Sequence, residues 1–235
     1  MADLAQLEAP ELREHQGLLV VRDDLIEGGT KVRVAPHLLE SNDEWVFAGP
    51  AQGYAQLALA IACEQTGKRA VFFTAKRREL LPLTLQSMRH GMRVVQVPYG
   101  RISHVQAKAR AYCAASGASF IELGLKLPGM EDALVALAGT LAIPEPEEVW
   151  VTAGSGTLAR ALARAWPSAT INAVQIGMRP QLPEGARLFV APERFEESAS
   201  GAEPPFPSAE FYDRKMWRFV QAFAHPGALV WNVGR

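Results

Sequence analysis

From residue 17 onward, short apolar runs alternate with longer segments of helical period, and this alternation decides the fold class before any single residue is weighed. The runs at Leu18–Val21, Trp45–Ala48, Ala70–Thr74, Arg93–Val97, Ser119–Leu123, Val149–Thr152, Thr170–Ile176, Leu188–Ala191 and Ala228–Val233 predict strands. Most are apolar without a polar alternate, as strands covered on both faces are. Helices are predicted near 54–66, 78–90, 102–116, 130–142, 156–166 and 209–224. Gly67, Gly91 and Gly117 stand where glycine commonly ends a helix. Strands interleaved with helices announce βαβ units, so an α/β fold with largely parallel sheets covered by helices is expected. Only 192–208 reads as loop, with Pro192, Ser198, Ser200, Gly201, Pro204, Pro205 and Pro207 among glutamates. It is expected to be a mobile surface excursion.

Composition narrows the class without choosing a function. The 235 residues are 49% apolar, enough for one large core or two small ones. A net charge of −1 with 21% charged residues excludes a polybasic nucleic-acid coat and an acidic disordered tail. Residues 1–16 show no basic region followed by an apolar stretch, and no run approaches the roughly 20 apolar residues that span a bilayer. A cytoplasmic protein without a membrane segment is expected. Cys63 and Cys113 lie far apart in helical patterns, so they read as buried small hydrophobes and not as a disulfide or CxxC framework. His15, His37 and His225 read as surface groups, and no metal site is expected.

Three strand-to-turn segments carry chemistry. In the first, Val21-Arg22-Asp23-Asp24-Leu25-Ile26-Glu27 runs into Gly28-Gly29-Thr30-Lys31-Val32-Arg33. A glycine pair lets the backbone approach a ligand closely, and a lysine at a helix start can be held neutral enough to attack an aldehyde. In the second, the strand at Trp45–Ala48 ends in Gly49-Pro50-Ala51 before Gln52, Gly53, Tyr54 and Gln56. Ligands of open α/β sheets settle beyond the carboxyl ends of strands, so these four residues are candidates for substrate binding. The third, Thr152-Ala153-Gly154-Ser155-Gly156-Thr157, joins a strand to a helix through a glycine loop with two hydroxyls. It suits a phosphate monoester; it has neither the lysine of a nucleotide-binding P-loop nor the GxGxxG spacing of a dinucleotide site. Taken alone, each segment is also what an ordinary turn looks like.

In order, the three segments resemble the pyridoxal 5'-phosphate (PLP) enzymes of the tryptophan-synthase-β-like fold, PLP fold type II. They are most similar to the branch of 1-aminocyclopropane-1-carboxylate deaminase and D-cysteine desulfhydrase. Arg22-Asp23-Asp24-Leu25 followed by Gly28–Arg33 matches that branch's RDD-L stretch and GGNKxR turn, and the likeness gives Lys31 the Schiff-base role. Gly49–Tyr54 resembles its GGxQSN turn, with Tyr54 where asparagine is usual; Lys31 and Tyr54 are the candidate catalytic residues. Gly154, Ser155, Gly156 and Thr157 resemble its phosphate loop, shortened by one glycine. Tyr212-Asp213-Arg214-Lys215 and Leu229–Gly234 resemble its YD-x-K helix and closing strand, where Val233 replaces a threonine beside the pyridine nitrogen and Asn232 or a water would serve instead. The resemblance implies a shortened, two-lobed chain, with 1–43 and 126–235 as the cofactor-holding lobe and 44–125 as a smaller mobile lobe. It implies action at the α-carbon of an amino acid or amine (deamination, elimination or decarboxylation), and a homodimer.

Charge adds one further feature. Between Lys76 and Arg110 there are eight Lys or Arg and one acid, Glu79, a net +7. A solvated helix face explains this, and so does a polyanion-binding face. Compact enzymes of this fold are similar to bacteriophage proteins that remodel an amino acid linked to thymine in DNA, which makes DNA contact through 76–110 an alternative. A further alternative is a catalytically inactive binding protein of the same fold.

Overall fold

The strands follow from apolar runs too short and too β-branched to form helices, and they assemble into two sheets. The structure, a computed structural model, describes Leu4 and residues 6–40, 42–98 and 100–235. In chain order the strands are β1 (Leu12–His15), β2 (Leu18–Arg22), β3 (Glu44–Ala48), β4 (Arg69–Ala75), β5 (Arg93–Val97), β6 (Ser119–Ile121), β7 (Glu148–Ala153), β8 (Thr170–Gln175), β9 (Arg187–Val190) and β10 (Leu229–Asn232). The helices are α1 (Ala55–Gln65), α2 (Pro82–Arg89), α3 (Ile102–Ser116), α4 (Met130–Gly139), α5 (Thr157–Ala165) and α6 (Trp217–Phe223). The α/β architecture with parallel sheets expected from the sequence is the one observed. Packing divides the chain into two compact units, Lys31–Met130 and Leu4–Thr30 with Glu131–Arg235. The divisions fall at 30/31 and 130/131.

The unit Lys31–Met130 holds a four-stranded sheet in the order β5-β4-β3-β6, parallel throughout. Its core packs Val46, Ala48, Val71 and Phe73 from the sheet against Val105 and Ala109 of α3. Helix α1 is apolar on nearly every side and buries Leu57 through Cys63, as a helix covered all round must. Cys63 is a free thiol that burial pushes up to about 12, a small hydrophobe in effect.

The other unit holds six strands in the order β1-β2-β10-β7-β8-β9, parallel except for the antiparallel β1–β2 pair. Strand β10, the tenth in sequence, therefore lies inside the sheet, between β2 and β7. Trp150 and Trp231, both fully buried, anchor its two middle strands. On the face of Trp150 the side chains of Leu18, Val20, Val174, Trp217 and Val220 complete one core.

Four details differ from the sequence reading, each for a local reason. β1 is absent from the predicted strands because Leu-Arg-Glu-His carries no apolar run; it forms by pairing with β2 at an edge. The predicted helix 78–90 begins only at Pro82, whose fixed φ and missing N–H suit the first helical position. Asp213–Met216 winds as a tight 3-10 turn before α6. Lys31 opens no long helix: Thr30–Arg33 and Ala35–Leu38 are single 3-10 turns, because Pro36 would clash with a carbonyl one turn back in a continuous helix. Segment 192–208 lacks regular structure, as expected, yet it is fastened. Lys215 donates to the Arg194 carbonyl at 2.8 Å, and the amide of Ala199 donates to the Glu210 carbonyl at 2.8 Å.

At the end of β2, Arg22 grips Asp24 with two donors, Nε to Oδ1 at 2.7 Å and Nη2 to Oδ2 at 2.8 Å. Their side chains are 4% and 0% exposed, so the pair is desolvated. Removing one partner of such a pair leaves a buried charge without compensation. Arg22→Ala is expected to lower unfolding free energy by about 3–5 kcal/mol in urea denaturation. Arg22→Lys should restore only part, since an ammonium cannot bridge both oxygens in the same plane.

Candidate functional site

Residues 153–157 form a loop only small residues can make. β7 is buried along its whole length and delivers Ala153 to the end of the sheet, where Gly154, Ser155 and Gly156 turn into α5. Gly156 has φ +85°, and a Cβ there would lie 2.0 Å from the Gln181 carbonyl oxygen, so no side chain is accommodated. Among the described residues the amides of Ser155 and Gly156 have no hydrogen-bond partner, while the Ser155 and Thr157 hydroxyls lie 2.9 Å apart. Two open amides, two hydroxyls and the start of a nine-residue helix form a cradle for an anion. Arg160 on the same helix does not complete it. Its guanidinium bonds to Glu131 and to the Gln181 carbonyl, the latter at 2.8 Å.

Two residues outside the candidate site set read from the sequence stand beside this loop. The Gly154 amide donates to the Tyr212 hydroxyl at 2.9 Å, and that phenol is held protonated by burial. Asp213 accepts from the Thr152 hydroxyl and from the Gly234 amide, the latter at 3.1 Å. Burial raises the Asp213 carboxyl to about 7, against the effect of these bonds. The Tyr-Asp pair is visible in the sequence as a family likeness, but nothing in its spacing reveals that both reach the glycine loop. Asn232 lies two residues before Gly234, and its side chain is fully engaged. It donates to Asp24 at 2.7 Å and to the Pro207 carbonyl at 2.9 Å, and it accepts from Ser208 at 2.8 Å. Gly29 packs on the same strand end. A Cβ at Gly29 would meet the Val233 carbonyl oxygen at 2.2 Å, and the Thr30 amide donates to that oxygen at 3.2 Å.

In the unit Lys31–Met130, the Lys31 amine donates to the Gly124 carbonyl at 2.5 Å. Burial lowers it to about 8, which leaves a substantial neutral fraction near neutral pH. The turn after β3 is closed by the Gly53 amide on the Pro50 carbonyl at 3.1 Å. Gln52 is buried there and accepts from Arg77 Nη2 at 3.3 Å. Tyr54 is half-buried directly before α1. Gln56 is buried with its amide nitrogen on the Ala51 carbonyl at 2.6 Å, which ties the turn to the helix, and its Oε1 has no partner.

The pH dependence of stability follows from Asp213. Its carboxyl is raised from 3.8 to about 7, so its share of stability is fully present below about pH 4 and is lost as pH rises through 7. Asp213→Asn removes a titrating group while keeping an acceptor for the Gly234 amide. Denaturation midpoints measured from pH 4 to 8 should show wild type losing ground to Asp213→Asn across that window; parallel profiles would contradict the assignment.

No family model and no curated protein matches the chain. Solved structures do. An ACC deaminase homologue superposes with a TM-score of 0.82 over 97% of this chain and 89% of its own, at 13% identity. The processed form of threonine deaminase isoform 2 from Solanum lycopersicum gives 0.71 over 99% and 81%, at 12% identity. Diaminopropionate ammonia lyase from Escherichia coli, in complex with an aminoacrylate-PLP azomethine reaction intermediate, gives 0.63 over 92% and 79%, at 12% identity. Likeness at such low identity establishes the backbone arrangement, and the chain has the fold of the PLP enzymes of fold type II.

Proposed function

We propose that this chain is a PLP-dependent enzyme acting at the α-carbon of an amino acid or amine, with Lys31 holding the aldehyde of the cofactor. The observation that carries the reading is the Lys31 amine, lowered to about 8 by burial and following a Gly28-Gly29 turn with φ of +87° and +70°. An amine that is partly neutral near pH 7 is what attack on an aldehyde requires. The loop Gly154–Thr157 supplies what a phosphate monoester needs, with the Ser155 and Gly156 amides open and the Ser155 and Thr157 hydroxyls beside them. The fit is to a monophosphate: the loop has no lysine, and Arg160 is committed to Glu131.

Once bound, the cofactor's conjugated ring supplies the electron sink for a bond broken at the α-carbon. Lys31 Nζ then carries a proton to or from that carbon, with a pKa close enough to neutrality to work in both directions. Tyr54, half-buried at the start of α1, is the second group for proton work. Gln52, Gly53 and Gln56 position the substrate from the same turn, Gln56 through its unpartnered Oε1. Asn232, read from the sequence as a candidate beside the ring nitrogen, spends its amide on Asp24 and Pro207.

A second reading, an amino acid linked to thymine in bacteriophage DNA, is favoured by charge. Arg93 and Arg110 lie over Tyr112 and Phe120, but Lys76, Arg78, Arg89, Arg101 and Lys108 are exposed. Under that reading, activity would appear on modified DNA, fall steeply as salt is raised and be absent with free amino acids; under the first, salt has little effect.

The cofactor-loaded chain should absorb in the visible, and borohydride should fix the cofactor on the peptide containing Lys31. Lys31→Ala should be colourless. A colourless wild-type chain that nonetheless binds inorganic phosphate would point to an inactive binding protein. In the cofactor-free chain, reductive methylation of Lys31 should accelerate with a midpoint near pH 8; a midpoint at the ordinary lysine value near 10.5 would remove the basis for the assignment.

A further inference from the structure

Every other buried or half-buried arginine whose contacts are described faces a carboxylate. Arg22 meets Asp24, Arg160 meets Glu131, Arg214 meets Glu203 and Arg218 meets Glu193. Arg77 is the exception. It is half-buried, its Nε is enclosed without a hydrogen-bond partner, and no ion pair forms at it among the described residues. Its contact is with a neutral group: Nη2 donates to Gln52 Oε1 at 3.3 Å. A guanidinium withdrawn from water without a counter-charge is costly, and an anionic ligand removes that cost.

Its position is fixed by backbone. Arg77 follows β4 by two residues, and its amide donates to Gln96 Oε1 at 2.9 Å while the neighbouring Lys76 amide donates to the Val97 carbonyl at 2.9 Å. Gln52 follows β3, the parallel neighbour of β4, by four residues. Both side chains thus stand at the carboxyl edge of adjacent strands, where ligands of α/β sheets bind. Exposed Lys76 and Arg78 flank Arg77, and Gly100 packs close against Ala75, bringing Arg101 to the same edge; Glu79, also exposed, is the acid of this turn. The local field is positive.

We infer that the substrate carries an anionic group in addition to its α-carboxylate, a side-chain carboxylate or phosphate, and that Arg77 with Gln52 is the specificity-determining pair that grips it. This rests on the PLP reading above and narrows its substrate to acidic amino acids. Planar guanidinium donors match either oxyanion, in a fork that an ammonium does not offer.

The experiment compares the loaded wild-type chain with Arg77→Gln and Arg77→Lys on aspartate, glutamate and O-phosphoserine against asparagine, glutamine and serine. Wild type should favour the acidic members in kcat/KM by roughly tenfold or more, the size of one charge-assisted contact. Arg77→Gln should erase that ratio, chiefly through KM, while the visible band of the cofactor persists. Arg77→Lys should keep part of it. A second readout needs no turnover. In the cofactor-free chain, succinate or O-phosphoserine should slow phenylglyoxal modification of the Arg77 peptide, butyrate should not, and exposed Arg78 should react alike in all three; whichever of the two anions protects identifies the oxyanion class. An acidic preference that survives in Arg77→Gln, or its absence from wild type together with no protection of Arg77, would overturn the inference. A wild-type chain without the visible band would instead overturn the PLP reading, and the protection assay would still decide on Arg77.

Discussion

The buried polar web where β2 meets β10 is the constraint on which the larger unit depends. Trp231 donates from Nε1 to the Thr30 hydroxyl at 2.9 Å and to Asp23 at 3.2 Å, and Asn232 donates to Asp24, which Arg22 holds from the other side. These bonds join positions about two hundred residues apart in sequence with almost no water to compete. In such surroundings a satisfied network fixes one arrangement and a partly satisfied one is costly. The web sets the course of the chain through Gly28 and Gly29 to Thr30, one residue before the lysine on which the proposed function rests. The Arg-Asp-Asp run thus has a structural task as well as a family likeness: Arg22 and Asp24 neutralise each other, and Asp23 receives an indole.

Desolvation does the electrostatic work in both units, with opposite chemical results. Enclosure of Lys31 lowers its amine toward neutrality, and enclosure of Asp213 raises its carboxyl toward neutrality. Each group is brought from its ordinary range into the span where a proton can be gained or lost at moderate cost. Cys63 shows the same force without a partner or a task, as its thiol is driven out of the physiological range altogether.

Strands β3, β4, β7 and β10 were legible because Val, Phe and Trp cluster there, and burial on both faces leaves few polar alternates to confuse the period. β1 escaped because Leu12–His15 owes its extended form to its neighbour and not to its own residues. The glycine loop at 154–157 could be found because its φ of +85° at Gly156 demands glycine, a requirement written directly in the sequence. The roles of Tyr212 and Asp213 could not be found by spacing, since they reach the loop across about sixty residues of chain through tertiary packing alone. Arg77 illustrates the same limit from the other side. Within a basic run it looks like its neighbours, and only the enclosure of one nitrogen beside Gln52 separates it from a solvated cation.

The interior place of β10 also bears on how the molecule comes into being. During synthesis the four strands of the smaller sheet, all between residues 44 and 121, are complete long before β10 is made. The larger sheet must wait, because β2 and β7 stay unjoined until residues 229–232 emerge to fill the gap between them. Until then two long apolar edges stand open on a nascent chain, a state prone to wrong pairing and aggregation. Residues 229–232 act as a keystone, and the order of assembly runs from the middle of the chain outward.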